Sequence, residues 1–180
     1  MRALMAGTLT DAEARYWLEQ DYLYLLDETR VLARLAWQAP PAHRADLIDL
    51  AWNVIHEEIP KHITMSKRFG ADLDRAVKGS ATSAYTAWLL DSAADYGVGM
   101  VALLSGLWGY SRLGQQMTVP REPRFKDWVE SYQDPAFSKL AWRYAEMVDE
   151  VAVDEWIAIA TFLEGMRHAL AFWEIPQAAK

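Results

Sequence analysis

A chain of 180 residues that is 52% apolar, with nine Trp, eight Tyr and five Phe, can fill one hydrophobic core and is too apolar for a disordered segment. Its net charge of −7 comes with no dense run of Lys or Arg, which argues against a nucleic-acid partner, because phosphate neutralisation needs clustered cations. The absence of cysteine excludes disulfides, thiolate metal sites and cysteine nucleophiles, and with no transmembrane-length apolar run or signal-peptide pattern the expectation is a cytoplasmic chain without a membrane partner.

Thr10-Asp11-Ala12-Glu13 reads as a capping box, and the helix it opens should run to Gln38, where Ala39-Pro40-Pro41 stops it. Trp17, Asp21, Tyr24, Glu28, Val31 and Leu35 form one stripe along that helix. A second helix starts after Pro41 with Leu47, Leu50, Ala51, Val54 and Ile55 on one side. Pro60 predicts a kink or break beside Glu57 and Glu58, after which the helix resumes through Met65 and ends at Gly70. Residues 71–80 read as a polar linker. A third helix is expected over about 82–95 and a fourth, of about twenty residues, from Tyr96-Gly97 onward. The fourth carries Gly99, Gly106, Gly109 and Gly114, which weaken a helix but let a neighbour or a ligand come close. Pro120 and Pro123 end it. A short helix around Trp128 to Tyr132 and another N-capped by Asp134 with Pro135 at its first position follow. The last long helix covers 153–173 and is closed by Pro176. No segment alternates like a strand and no repeat is visible, so residues 1–180 read as a single all-α domain.

Asp21 lies among Trp17, Tyr24 and branched aliphatics, where a carboxylate is costly unless a cation, a donor or a ligand satisfies it. Glu58 and His62, and Glu164 and His168, are acid–histidine pairs four apart. Four-helix di-metal proteins space glutamate and histidine by three, so these pairs fit an ordinary helix-face contact better than a metal site, and no metal or other cofactor is expected. His43 and His56 read as surface or rim residues, and Ser105 as a small packing residue. Tyr24, Tyr85, Tyr110 and Tyr132 fall on four different helices. They are either core or the walls of a site in which a flat heteroaromatic ring stacks while Asp21 accepts from its amine.

Several ordered segments resemble the TenA (thiaminase II) family. They are Gly7-Thr8-Leu9 leading to Gln20-Asp21-Tyr22-Leu23-Tyr24, then Glu58-Ile59-Pro60-Lys61-His62, then Ala84-Tyr85-Thr86. Leu103 to Tyr110, Trp128-Val129-Glu130-Ser131-Tyr132 and Phe172-Trp173 complete the series. The resemblance implies a haem-oxygenase-like helical bundle, commonly a homo-oligomer (dimer or tetramer), that hydrolyses thiamine-derived aminopyrimidines for salvage without haem or metal. By position, Asp21 would bind the pyrimidine amine and ring nitrogen, and Tyr24, Tyr110 and Tyr132 would line and stack on the ring, with Tyr85 beside them. The family's cysteine position holds Gly106 and its late glutamate position holds Ala169. Glu164 lies about 140° round the helix from position 169. The chain also begins where the family's second helix usually begins. These departures resemble a cysteine-lacking branch that relies on carboxylates. The expected activity is hydrolysis of an aminomethyl or N-formyl-aminomethyl pyrimidine by water, with Asp21, Glu58 and Glu164 as the candidate acids and bases. The alternatives are a non-catalytic binder or scaffold on the same bundle, or a di-metal oxidase using Glu58, His62, Glu164 and His168.

Overall fold

The computed structural model describes residues 1–178, with side chains as far as Glu174. After a short turn of helix, α1 (Arg2–Met5), the capping box forms: the Glu13 N–H donates to Thr10 Oγ1 at 3.2 Å and the Thr10 N–H donates to the Glu13 carboxylate at 3.0 Å. It opens α2 (Asp11–Gln38), which ends as Ala39 turns extended ahead of Pro40. The chain returns as α3 (Pro41–Asn53) against α2.

At the expected break the helix widens instead. Val54–Glu58 is a π-helical turn in which the Ile59 N–H reaches back five residues to the Val54 carbonyl, and α4 (Ile59–Arg68) continues from it. The wide turn makes Pro60 a first-turn residue of α4, where its missing N–H costs nothing. Beyond the linker come α5 (Ser80–Ser92), α6 (Tyr96–Gly114), α7 (Pro123–Gln133), α8 (Pro135–Asp149) and α9 (Glu155–Ala178). The Asp95 and Asp134 side chains cap α6 and α8. Several boundaries differ from the expectation, two of them markedly. α7 starts at Pro123, well before Trp128, and α9 runs past Pro176, which removes only one ladder bond near the helix end. Among the described residues there is no strand.

α6 is apolar around most of its circumference and is enclosed by α5, α7, α8 and α9, while α2 packs on α3, α4, α5, α6 and α9. Trp17 from α2 fills the centre against Trp128, Phe172 and Trp173. Polar side chains on α2 pin the linker. Gln20 donates to the Val77 carbonyl at 2.9 Å and accepts from the Gly79 N–H and Thr82 hydroxyl at 2.7 Å each, capping α5 from a neighbouring helix. Asp27 takes Lys78 and Arg30. Burial opposes its ionisation, but hydrogen bonds from Lys78 and Thr86 and the two cations hold its carboxyl below the usual range.

His43 is a correction. It is 2% exposed, with Nδ1 2.9 Å from the Tyr96 hydroxyl and Nε2 3.0 Å from the Glu150 carboxylate, tying α3 to α6 and to the end of α8. Positions 43, 47, 50 and 54 share one helix face, so His43 sits on the stripe that Leu47, Leu50 and Val54 bury. His56 is exposed as expected, against Trp52.

Candidate active site

One face of α2 presents Asp21, Tyr24 and Glu28, and the turn after α3 swings Glu58 and His62 over it. Asp21, 8% exposed, forms an ion pair through Oδ2 with His62 Nε2. The other imidazole nitrogen, Nδ1, faces the Glu58 carbonyl at 3.3 Å. Each ring nitrogen thus faces an acceptor, an arrangement that suits the doubly protonated ring. Burial pushes the His62 pKa down, but the charge and hydrogen bond of Asp21, with Glu58 behind them, outweigh it and leave the pKa raised.

The acids around this pair are pushed the other way. Burial, with Glu58 and Asp21 nearby, raises the Glu28 carboxyl to about 8. Burial and the Asp21 charge also raise the Glu58 carboxyl, against the pull of His62 and Lys61. His62 and Lys61 act on Glu58, but among the described residues no cation acts on Glu28.

The tyrosines make the opposite wall. Tyr24 lies 5.1 Å from Tyr85, ring centre to ring centre, and Tyr110 stacks on Tyr132 at 5.8 Å with Trp173 beside both. Burial raises the pKa of all four phenols, with neighbouring acids adding to it, so they remain neutral. The Tyr85 hydroxyl faces that of Tyr24 without a well-formed hydrogen bond, a buried donor of the kind a ligand satisfies. Tyr24, Tyr110, Tyr132, Trp173, Glu58 and His62 keep part of their surface accessible, whereas Tyr85 behind them is 1% exposed. Gly106 faces this wall, and a Cβ there would lie 3.0 Å from the Tyr85 hydroxyl and 3.8 Å from that of Tyr24.

The fold therefore gathers Asp21, Glu58, Tyr24, Tyr85, Tyr110 and Tyr132 into one neighbourhood. Glu164 does not join it. That carboxylate is 43% exposed, is paired with Arg167 at 2.8 Å and reaches only His168, at 3.8 Å, which stacks on the far side of Tyr85 and against Trp88. Among the described residues no three His, Asp or Glu side chains converge as metal ligands. Glu28 and the Asp21–His62 pairing went unassigned in the sequence. Glu28 had a signal, its place on the Asp21 stripe; the pairing joins separate helices and had none.

The chain is 26% identical over 156 residues to an aminopyrimidine aminohydrolase of Halalkalibacterium halodurans, covering 81% of this chain and 70% of that one. It is 28% identical over 184 residues to the thiamine biosynthesis multifunctional protein ThiED of Corynebacterium efficiens, a match that takes 97% of this chain but spans only 25% of that protein. A TenA homologue from P. horikoshii OT3 superposes with a TM-score of 0.91 at 23% identity, over 99% of this chain and 88% of that one. One from Pyrococcus furiosus superposes at 0.88 and 18% identity, over 97% and 88%. No helix among the described residues is long and apolar enough to cross a membrane. The sequence profile of the TENA/THI-4/PQQC family matches residues 1–174, and a match of that length makes this chain a member of that family, with its all-helical haem-oxygenase-like fold.

Proposed function

We propose that the protein hydrolyses a thiamine-derived aminopyrimidine, with water in place of a thiolate as the attacking group. The observation that carries this reading is the Asp21–His62 ion pair set against partly accessible tyrosine faces. His62 engages Asp21 Oδ2, which leaves Oδ1 without a partner among the described residues and free to accept the amino N–H of a pyrimidine. Tyr24, Tyr110 and Tyr132 supply apolar faces and neutral hydroxyls for the ring. The water oxygen bonds to the exocyclic methylene as its C–N bond breaks. Glu58 accepts the water proton, the leaving nitrogen takes a proton from the site, and an alcohol and an amine result.

The similarity to an aminopyrimidine aminohydrolase supports this substrate class. Purified protein mixed with an aminomethylpyrimidine should release ammonia and the hydroxymethyl product. Ligand binding without any turnover would instead favour a non-catalytic binder, the reading that Gly106 supports because that position, which faces Tyr85 and Tyr24, carries no reactive group.

The proposed assembly is a homo-oligomer. On α9 the exposed Trp156, Ile159, Leu163, Met166 and Leu170 follow alternating steps of three and four, the spacing of a helix–helix seam that a second α9 would match. Light scattering at micromolar concentration should report a dimer or larger, and Leu163→Glu should shift it to monomer. A monomeric wild type would remove the interface.

A further inference from the structure

Two adjacent acids on α2 are both buried and are treated differently. Asp27, 3% exposed, holds Lys78 and Arg30. Glu28, 8% exposed, has no cation and no hydrogen-bond donor among the described residues. It lies two helical turns from Asp21 on the same stripe and faces the site described above. The groups around it are the Asp21 and Glu58 carboxyls and the hydroxyls of Tyr24, Tyr85, Tyr110 and Tyr144, contributed by α2, the π turn, α5, α6 and α8. The cation of the site, His62, faces Asp21 through one nitrogen and the Glu58 carbonyl through the other.

We infer that the Glu28 carboxyl is the proton donor to the leaving nitrogen, an inference that rests on the hydrolase proposed above. The alternatives are each disqualified by their surroundings. The phenols are held too basic to part with a proton, because burial raises every one of them. Both His62 nitrogens face acceptors, and giving up either proton would remove the imidazolium charge that pairs with Asp21. Glu58 is raised as well, but the His62 and Lys61 charges oppose that, whereas among the described residues no cation acts on Glu28, so Glu58 is the carboxyl that ionises and accepts from water. Glu28 is the acid whose burial among other acids keeps it protonated at neutral pH, its carboxyl pushed up to about 8. As the C–N bond breaks, its electron pair goes to nitrogen, which takes the Glu28 proton. The water proton goes to Glu58 and then to solvent, and Glu28 recovers a proton from solvent before the next turnover. Substrate and water become alcohol and amine, with no net change in either carboxyl.

Glu28→Gln tests this. The amide keeps the shape and a donor N–H but cannot give up a proton. In wild type, kcat for an aminomethylpyrimidine should fall on the alkaline side with a midpoint near pH 8. In the variant kcat should drop by about 10²–10⁴-fold and the alkaline fall should vanish, while affinity for the hydroxymethyl product is retained. A variant with wild-type kcat and the same alkaline limb overturns the inference and leaves the hydrolase reading standing. Wild-type protein that turns over no aminopyrimidine overturns both. If the variant does not fold, infrared titration of wild type decides. A protonated-carboxyl band lost with the midpoint of the kcat limb is expected, and its absence overturns the inference.

Discussion

Asp21→Asn costs about 2–5 kcal/mol of pyrimidine affinity, the usual range for truncating one partner of a buried charged hydrogen bond, and leaves the bundle folded. In the native site one carboxylate oxygen takes His62 and the other is open to the ligand. An amide has one acceptor and one donor group, so either His62 or the ligand amine meets a donor where it needs an acceptor. The variant also carries a stability signature. The folded pKa of His62 is raised by Asp21 against the opposing effect of burial. Its contribution to stability is therefore fully present below the unfolded value of about 6.5 and is lost as pH rises through the folded value. Wild type and variant should thus differ most in melting temperature under acid conditions and converge at alkaline pH. Calorimetric titration with the hydroxymethyl product, alongside melts across pH, measures both effects. Unchanged affinity would take Asp21 out of the site.

Gly165→Val should destabilise the protein by about 3 kcal/mol, the upper end of ordinary overpacking, and lower its melting temperature by about 6–12 °C in a chain of this size. A Cβ at position 165 would overlap Ser105 Oγ and stand 2.6 Å from Ser105 Cβ and 2.9 Å from Trp88 Cη2. Ser105 is fully buried in α6 and its hydroxyl donates to the Ala102 carbonyl, so it has nowhere to retreat and α9 must move instead. That movement would carry His168, Phe172 and Trp173 away from the tyrosines they back. Gly109→Ala is the control. Its Cβ would meet only Met166 Sδ and Cε, at 3.1 and 3.2 Å, and a flexible thioether can step aside. Thermal melts should separate the two variants, and equal melting temperatures would show that α6 and α9 are not in tight register.

What could be read from residues was whatever is local in the chain. The α2 boundaries follow from a capping box and a proline pair, and the shared face of Asp21, Tyr24 and Glu28 follows from helical periodicity alone. What could not be read depends on which helix face meets which neighbour. His43 looked like a rim residue because its partners, Tyr96 and Glu150, are 53 and 107 positions away. Glu58 and His62 looked like a self-contained pair four apart, whereas the His62 ring turns to Asp21 on another helix. Glu164 shared that four-residue spacing with its histidine and points outward to Arg167. Spacing identified both histidine motifs; only packing separates the one at the site from the one behind it.

The wide turn at Val54–Glu58 has a consequence for chain length in related sequences. It holds one residue more than an ordinary helix would between the same two flanks. Elsewhere in a helix, losing a residue would rotate everything beyond it by about 100°. Here the loss can be absorbed by local rewinding, with Leu47 and Leu50 still buried and His62 still turned toward Asp21. Such a shortened chain would, however, place Pro60 inside a regular helix, at a cost of about 3 kcal/mol. Across relatives, then, a one-residue gap in this segment and a proline at this position should be mutually exclusive.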